Sequence, residues 1–232
     1  MDNEESLIQV KKFFDKYKPL FAIALDMESR LEHLSSPRFS VFQYISKKNE
    51  NNISSIIASL LDPKGTHGQK SLFLKEFIKQ INKKIDLNFN SLEFDLTKII
   101  TESSTDAIQD SGRRIDIVVI GTNWVIGIEN KPYTYEQKDQ IADYTEHLKN
   151  KYKDKQIYFL YLSGKNTLSS SHDKNQPPIL MGYNRGTSND DGLYLSDWLK
   201  ASRDLCQVDK VRHFCDDFLR FVQENFTSVE TH

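Results

Sequence analysis

The sequence has almost no charge imbalance: its 232 residues include 31 Lys and Arg against 33 Asp and Glu, a formal net charge of −2. No overall field therefore draws the chain onto a polyanion, and any nucleic-acid contact has to be made by a local patch. Cysteine is scarce. Cys206 and Cys215 show neither CxxC spacing nor a metal-ligating neighbour, which excludes a disulfide framework or a zinc knuckle and leaves core thiols of a reducing compartment. Long apolar runs are missing as well, since nothing approaches the roughly 18 residues that suggest a membrane span. The start, MDNEESLIQVKKFF, is acidic and then amphipathic, unlike a leader. A cytoplasmic protein with no membrane attachment is expected. Internal repeats and a linker demanding a second domain are lacking too. With 38% hydrophobic and 28% charged residues, the composition suits one globular domain with a helical extension.

What is present changes character along the chain. Leu7, Val10, Phe14 and Tyr17 predict a helix ending near Pro19, with another from about Phe21 to Leu34. From Glu50 to Leu61, residues Ile53, Ile56, Ile57, Leu60 and Leu61 share one helical face, stopped by Asp62 and Pro63. After the loop DPKGTHG, Phe73, Leu74, Phe77, Ile78 and Ile81 make a second amphipathic helix. Beyond Asn90 the period shortens. LEFDLTKII, RRIDIVVIG and NWVIGIENK are β-branched and separated by polar or glycine-containing breaks, which predicts three consecutive strands. A helix from about Tyr135 to Tyr152 and the strand QIYFLYLSG follow. Ser163 to Gly192 reads as a long loop with one edge strand, ILMGY, and as a substrate clamp, an interface or variable surface. Val208, Val211, Cys215, Phe218 and Val222 predict a closing helix. The order αβββαβ describes an α/β (α+β) mixed sheet with helices against it.

The stretch GRRIDIVVIGTNWVIGIENK carries charges where burial is expected. Side chains alternate along a strand, so Val125, Gly127, Glu129 and Lys131 share one face. A two-residue turn at Thr122 and Asn123 makes Gly121 face Trp124 and sets opposite one another all residues whose numbers total 245. Asp116 then faces Glu129, and Arg114 faces Lys131. Two carboxylates so placed repel by about 0.2 to 1 kcal/mol, more where water is scarce. A hard divalent ion such as Mg²⁺ offsets this, because it takes one or two carboxylates, waters and phosphate oxygens as ligands. Lys131 is placed to touch what the ion holds, and Gly127 is read as leaving room for substrate backbone. An E-x-K on a strand face is by itself more often a solvated edge than a site, but its combination with Asp116, the short turn and a following helix is rarer. Arg113 and Arg114 precede the Asp116 strand and are candidates to hold phosphate. Gln137, Gln140, Ile141 and Tyr144 are spaced to continue one face of the next helix, so the two glutamines are candidates for binding phosphate or water, and Tyr144 for touching substrate. His67 is weighed as a metal ligand or general base and read as loop structure or a helix cap, and Glu102, a lesser candidate for the site, as a surface residue.

IDIVVIGTNWVIGIENK, with Asp116, Glu129 and Lys131, resembles the metal-binding core of the PD-(D/E)XK nuclease superfamily. SSIIASLLDPKGTHGQKSLFLKEF, EQKDQIADY and IYFLYLSG extend the resemblance over about Glu50 to Gly164, with weaker echoes in LSDWL and the last helix. Ile115 stands where the name-giving Pro would be, and that Pro supplies no ligand. The resemblance implies a single domain with a restriction-endonuclease-like core over residues 50–164, a helical extension over 1–49, and a loop and C-terminal helical region over 165–232. It implies Mg²⁺, with Mn²⁺ as a substitute, on Asp116 and Glu129, with the carbonyl of Asn130 adding an oxygen. Lys131 would assist the attacking water. Glu50 matches the Glu of the first core helix, although the helix dipole equally favours a Glu in a first turn. Related nucleases use a Gln in the helix after the lysine, which favours Gln140 over Gln137. The implied activity is hydrolysis of phosphodiester bonds in nucleic acid, DNA foremost, in bacterial restriction, defence or repair, and a homodimer is convenient for cutting both strands. The alternative is a catalytically silent nucleic-acid-binding or protein-interaction module on the same fold.

Overall fold

The structure, a computed structural model, describes residues 2–35, 42, 50–84, 91–104, 114–133, 140–165, 177–187 and 189–226. The chain divides into two units, Met1–Gln43 and Tyr44–His232. The first contains helix α1 (Asp2–Ser35), which runs straight through the expected break, with Pro19 inside it. Proline removes one backbone bond and crowds the preceding turn, but long helical segments on both sides keep their own ladders, so the loss stays local. Among the described residues no helix is long and apolar enough to cross a membrane.

The second unit begins with α2 (Glu50–Leu61) and α3 (Leu72–Ile81). The apolar faces of both are buried as their periodicity requires: Ile53, Ile57, Leu60 and Leu61 on α2, Phe73, Leu74, Phe77 and Ile78 on α3. The segment between α3 and the sheet corrects one expectation. Ser91–Leu96 is a 3₁₀ helix, and strand β1 (Lys98–Ser104) starts only beyond it. Phe94 is buried while Leu96 is 72% exposed. On a strand those two would share a face, so SLEFDL never carried a true period of two.

β2 (Arg114–Ile120) and β3 (Trp124–Lys131) form the predicted hairpin. The Gly121 N–H donates to the Trp124 carbonyl at 3.0 Å, and the partners run from Ile120 with Val125 to Ile117 with Ile128, all totalling 245. Helix α4 (Gln140–Lys151) then crosses to β4 (Gln156–Ser163), parallel to β3. β5 (Ile179–Gly182) adds in parallel to β4. It is not the edge expected of it, because β6 (Leu193–Tyr194) pairs along its other side. The sheet therefore reads β1 to β6 in sequence order, antiparallel in its first half and parallel in its second. Two helices close the unit, α5 (Leu195–Leu205), of which the sequence showed only the LSDWL echo, and the anticipated α6 (Asp209–Asn225).

β3 is central and buried along nearly its whole length. α2 packs against β1, β2 and β3, and α4 against β3 and β4. Their faces differ, and alternation along β3 shows it. Glu129 meets Gln140 of α4, whereas the next residue, Asn130, meets Ser54 of α2. On the α4 side Ile115, Val118, Val125, Tyr144, Leu148 and Phe159 make one cluster. Farther out, Trp198 of α5 lies edge-on to Phe77 of α3 and donates its indole N–H to the Phe73 carbonyl at 2.9 Å. The two thiols are buried and free, as the core reading required, and burial pushes Cys215 up to about 12.

Candidate active site

An antiparallel ladder alternates bonded and non-bonded pairs. Counting from the bonded Gly121 and Trp124, the Asn130 N–H should meet the carbonyl of Ile115. It instead donates to Oδ2 of Asp116 at 2.8 Å. The regular ladder ends at Ile117 and Ile128, and a carboxylate takes over where the next bond was due. Asp116, half-buried, is thereby held against the backbone immediately after Glu129. The ladder does not extend to the predicted pairing of Arg114 with Lys131.

Glu129 is 1% exposed. Its Oε1 accepts from Lys131 Nζ at 2.7 Å and from Gln140 Nε2 at 2.9 Å, while its Oε2, equally buried, has no hydrogen-bond partner. Burial, then the Asp116 charge, push the Glu129 carboxyl up from 4.5 to about 8, and Lys131 only partly opposes this. For Lys131 burial works the other way, favouring the neutral amine, yet Glu129, then Asp116 and Glu50, outweigh it and hold the ammonium above its ordinary value. The ammonium also lies 3.5 Å from Oε2 of Glu50, at the first turn of α2. One positive group therefore sits between carboxylates from β3 and α2, in the position a cation would be drawn to.

Asn130 ties the two sides of this arrangement together. Its Nδ2 donates to Ser54 Oγ at 2.9 Å, and that hydroxyl donates to the Glu50 carbonyl at 3.1 Å. Its Oδ1 accepts from the Tyr183 hydroxyl at 2.5 Å. Asn130 and Tyr183 are fully or almost fully buried, so these bonds have no water to compete with. The seam of Glu50, Ser54, Ile57 and Leu61 does turn inward from α2, as its spacing indicated. The roles of the Asn130 side chain and of Tyr183 were missed. Only the polar break in an otherwise apolar strand hinted at the first, and nothing in the sequence tied residue 183 to residue 130.

The remaining candidates fall out unevenly. Gln140 spends both amide hydrogens, one on Glu129 and one on the Tyr144 hydroxyl at 2.9 Å. Tyr144 is buried and donates to the Arg114 backbone carbonyl at 2.8 Å, so it supports the site from below. The Arg114 side chain is exposed. Arg113 and Gln137 lie outside the described residues, as does the side chain of Glu102. His67 braces its loop: Nδ1 accepts the Gln69 N–H at 3.0 Å and Nε2 lies 2.9 Å from the Asp62 carbonyl. The room expected beside Gly127 is not there. A Cβ on it would come within 2.7 Å of Leu148 and 2.8 Å of Phe159, so this glycine admits core side chains instead of substrate.

Among the described residues no three His, Cys, Asp or Glu side chains gather closely enough to hold a metal ion between them. Magnesium does not require three, since it usually keeps several waters and binds through one or two carboxylates plus substrate phosphate. The unpartnered Oε2 of Glu129 fits such an ion, because a buried carboxylate oxygen is costly until a cation or donor reaches it.

In comparisons with known proteins, a sequence model described as the PD-(D/E)XK nuclease superfamily matches residues 39–220. The six-stranded mixed sheet with its helices is consistent with the restriction-endonuclease-like fold. No curated protein and no solved structure matches the chain.

Proposed function

Because the chain belongs to the PD-(D/E)XK nuclease superfamily, we propose that it is a divalent-metal-dependent hydrolase of phosphodiester bonds in DNA, serving restriction, defence or repair. One observation carries this reading: the Lys131 ammonium rests 2.7 Å from Glu129, a buried carboxylate with its other oxygen unpartnered, beside the charge of Asp116. Asp116 and Glu129 would hold Mg²⁺ or Mn²⁺, with the Asn130 carbonyl as a further oxygen. When bound, the ion supplies Lewis-acid polarisation of a phosphate and a water.

The chain's own groups have separable tasks. Lys131 stays protonated at neutral pH, so it takes no proton from water; it donates hydrogen bonds to the attacking oxygen or to the phosphate oxygens that gain charge in the transition state. Gln140, anchored by Tyr144, fixes Oε1 of Glu129 and so leaves Oε2 as the oxygen that would bind the ion. Glu50 holds Lys131 from the α2 side. Arg114, with Arg113 before it, supplies the bidentate phosphate contact, which in a chain of nearly neutral net charge has to be local.

Nicking of supercoiled plasmid in Mg²⁺ and in EDTA tests the reading. Wild type should nick only with the metal, and Asp116→Asn and Lys131→Met should each lower the rate by at least about a hundredfold, the scale on which transition-state charge contacts are felt. Activity that survives both substitutions would remove this site from the reaction. Absence of cleavage on any DNA or RNA would favour the silent binding module.

A further inference from the structure

The family match begins at residue 39, after α1 has ended, and α1 carries a surface that the nuclease fold does not explain. Along it Val10, Phe13, Tyr17, Leu20, Ala24 and Met27 recur at alternating spacings of three and four, and the rhythm continues to Leu31 and Leu34. That period of 3.5 draws one seam along a helix, the pattern by which one helix accepts another. The seam is bare. Val10, Phe13, Leu20 and Met27 are 55%, 57%, 59% and 64% exposed, and Phe14 and Phe21 flank it at 61% and 62%. With aromatic and large aliphatic side chains contributing about 150–250 Å² each, the helix leaves on the order of 800 Å² of apolar surface in water. That exceeds the roughly 300–600 Å² of the largest patch on an ordinary monomer, and two such helices supply the roughly 1,200–2,000 Å² of a standard stable interface.

We propose that α1 pairs antiparallel with α1 of a second copy of the chain, in the register that sets side by side residues whose numbers total 37. Val10 then lies opposite Met27, Phe13 opposite Ala24, and Tyr17 opposite Leu20. Seam positions of the two kinds meet throughout, as an antiparallel helix pair requires. Shape favours this register, since the large Phe13 meets the small Ala24, whereas parallel in-register helices would stack Phe13 on Phe13 and Ala24 on Ala24. Charge favours it too. In this register Lys11 lies beside Asp26, while Lys12, Lys16 and Lys18 meet the uncharged Leu25, Phe21 and Pro19; parallel in-register helices would instead set each of these lysines on its own copy. Pro19 sits off the seam, so its ring does not intrude.

Light scattering on the full chain at micromolar concentration should return the mass of a dimer. Phe13→Glu and Leu20→Glu, which replace exposed residues, should each give a monomer with unchanged helical content. Cysteine cross-linking reads the register: the double substitution Val10→Cys with Met27→Cys should form an intermolecular disulfide under mild oxidation. Val10→Cys alone should not, because the two copies of residue 10 would lie about 25 Å apart at 1.5 Å of rise per residue. The native thiols are buried and do not compete. A monomeric wild type, a dimer that persists in both glutamate variants, or cross-linking by Val10→Cys alone would each overturn the proposal. Mass and cross-linking are read without any nuclease activity, so failure here is distinct from failure of the catalytic reading.

Discussion

At the scale of single residues, Glu129 concentrates the electrostatic cost of the site. Burial and the neighbouring Asp116 raise its pKa from 4.5 to about 8, so without an ion the folded state holds a proton that the unfolded chain would release. An acid shifted in this direction contributes its full stability below the unfolded value and loses it as pH rises through the folded one. Thermal melts of the metal-free protein should therefore show stability declining between pH 4.5 and 8, and Glu129→Gln should flatten that limb. An equally steep limb in Glu129→Gln would contradict the raised pKa. The cross-strand arithmetic that set Asp116 near Glu129 was legible in the sequence because side-chain alternation is a property of the backbone itself. The misreading of Gly127 has an equally local cause: a glycine in a strand announces a close approach but not what approaches.

At the scale of elements, the bonds from Tyr183 to Asn130 and from Asn130 to Ser54 join the end of β5, the end of β3 and the first turns of α2. Each link is buried, so removing one leaves a polar atom stranded at a cost of about 1–3 kcal/mol. Tyr183→Phe and Ser54→Ala should each destabilise by that order in urea titrations. In a double-mutant cycle the pair should couple by about 0.5 kcal/mol or more, because both act through the one amide of Asn130. Strict additivity would show that the two bonds are independent. Element boundaries were less legible than element types. Pro19 and the SLEFDL segment were misjudged because a proline or a short apolar alternation is a weak local preference, and the surrounding helix or the burial of Phe94 alone overrode it.

At the scale of the whole molecule, the buried and unpartnered oxygen of Glu129 couples the proposed ion binding to folding. An ion that binds only the folded state stabilises it by about 2.7 kcal/mol at a hundredfold excess over its dissociation constant, which in a chain of this size corresponds to roughly 5–10 °C in Tm. Saturating Mg²⁺ should raise the melting temperature by that order, more at pH 8 than at pH 6, since the ion requires the carboxylate form of Glu129. Asp116→Asn should lose most of the shift. An equal shift in that variant would place the ion elsewhere.

The sequence by itself determined the hairpin register, the inward seam of α2, the acidic and basic residues of E-N-K on one face of a single strand, and a surface without a dominant charge. All of these follow from local periodicity and from counting. Tertiary structure alone decided that Glu50 reaches Lys131, that the side chain of Asn130 turns away from Glu129 towards Ser54 and Tyr183, and that Leu148 and Phe159 fill the space beside Gly127. Those contacts join residues far apart in the chain, and their geometry depends on how whole helices pack on the sheet, a quantity no local period carries.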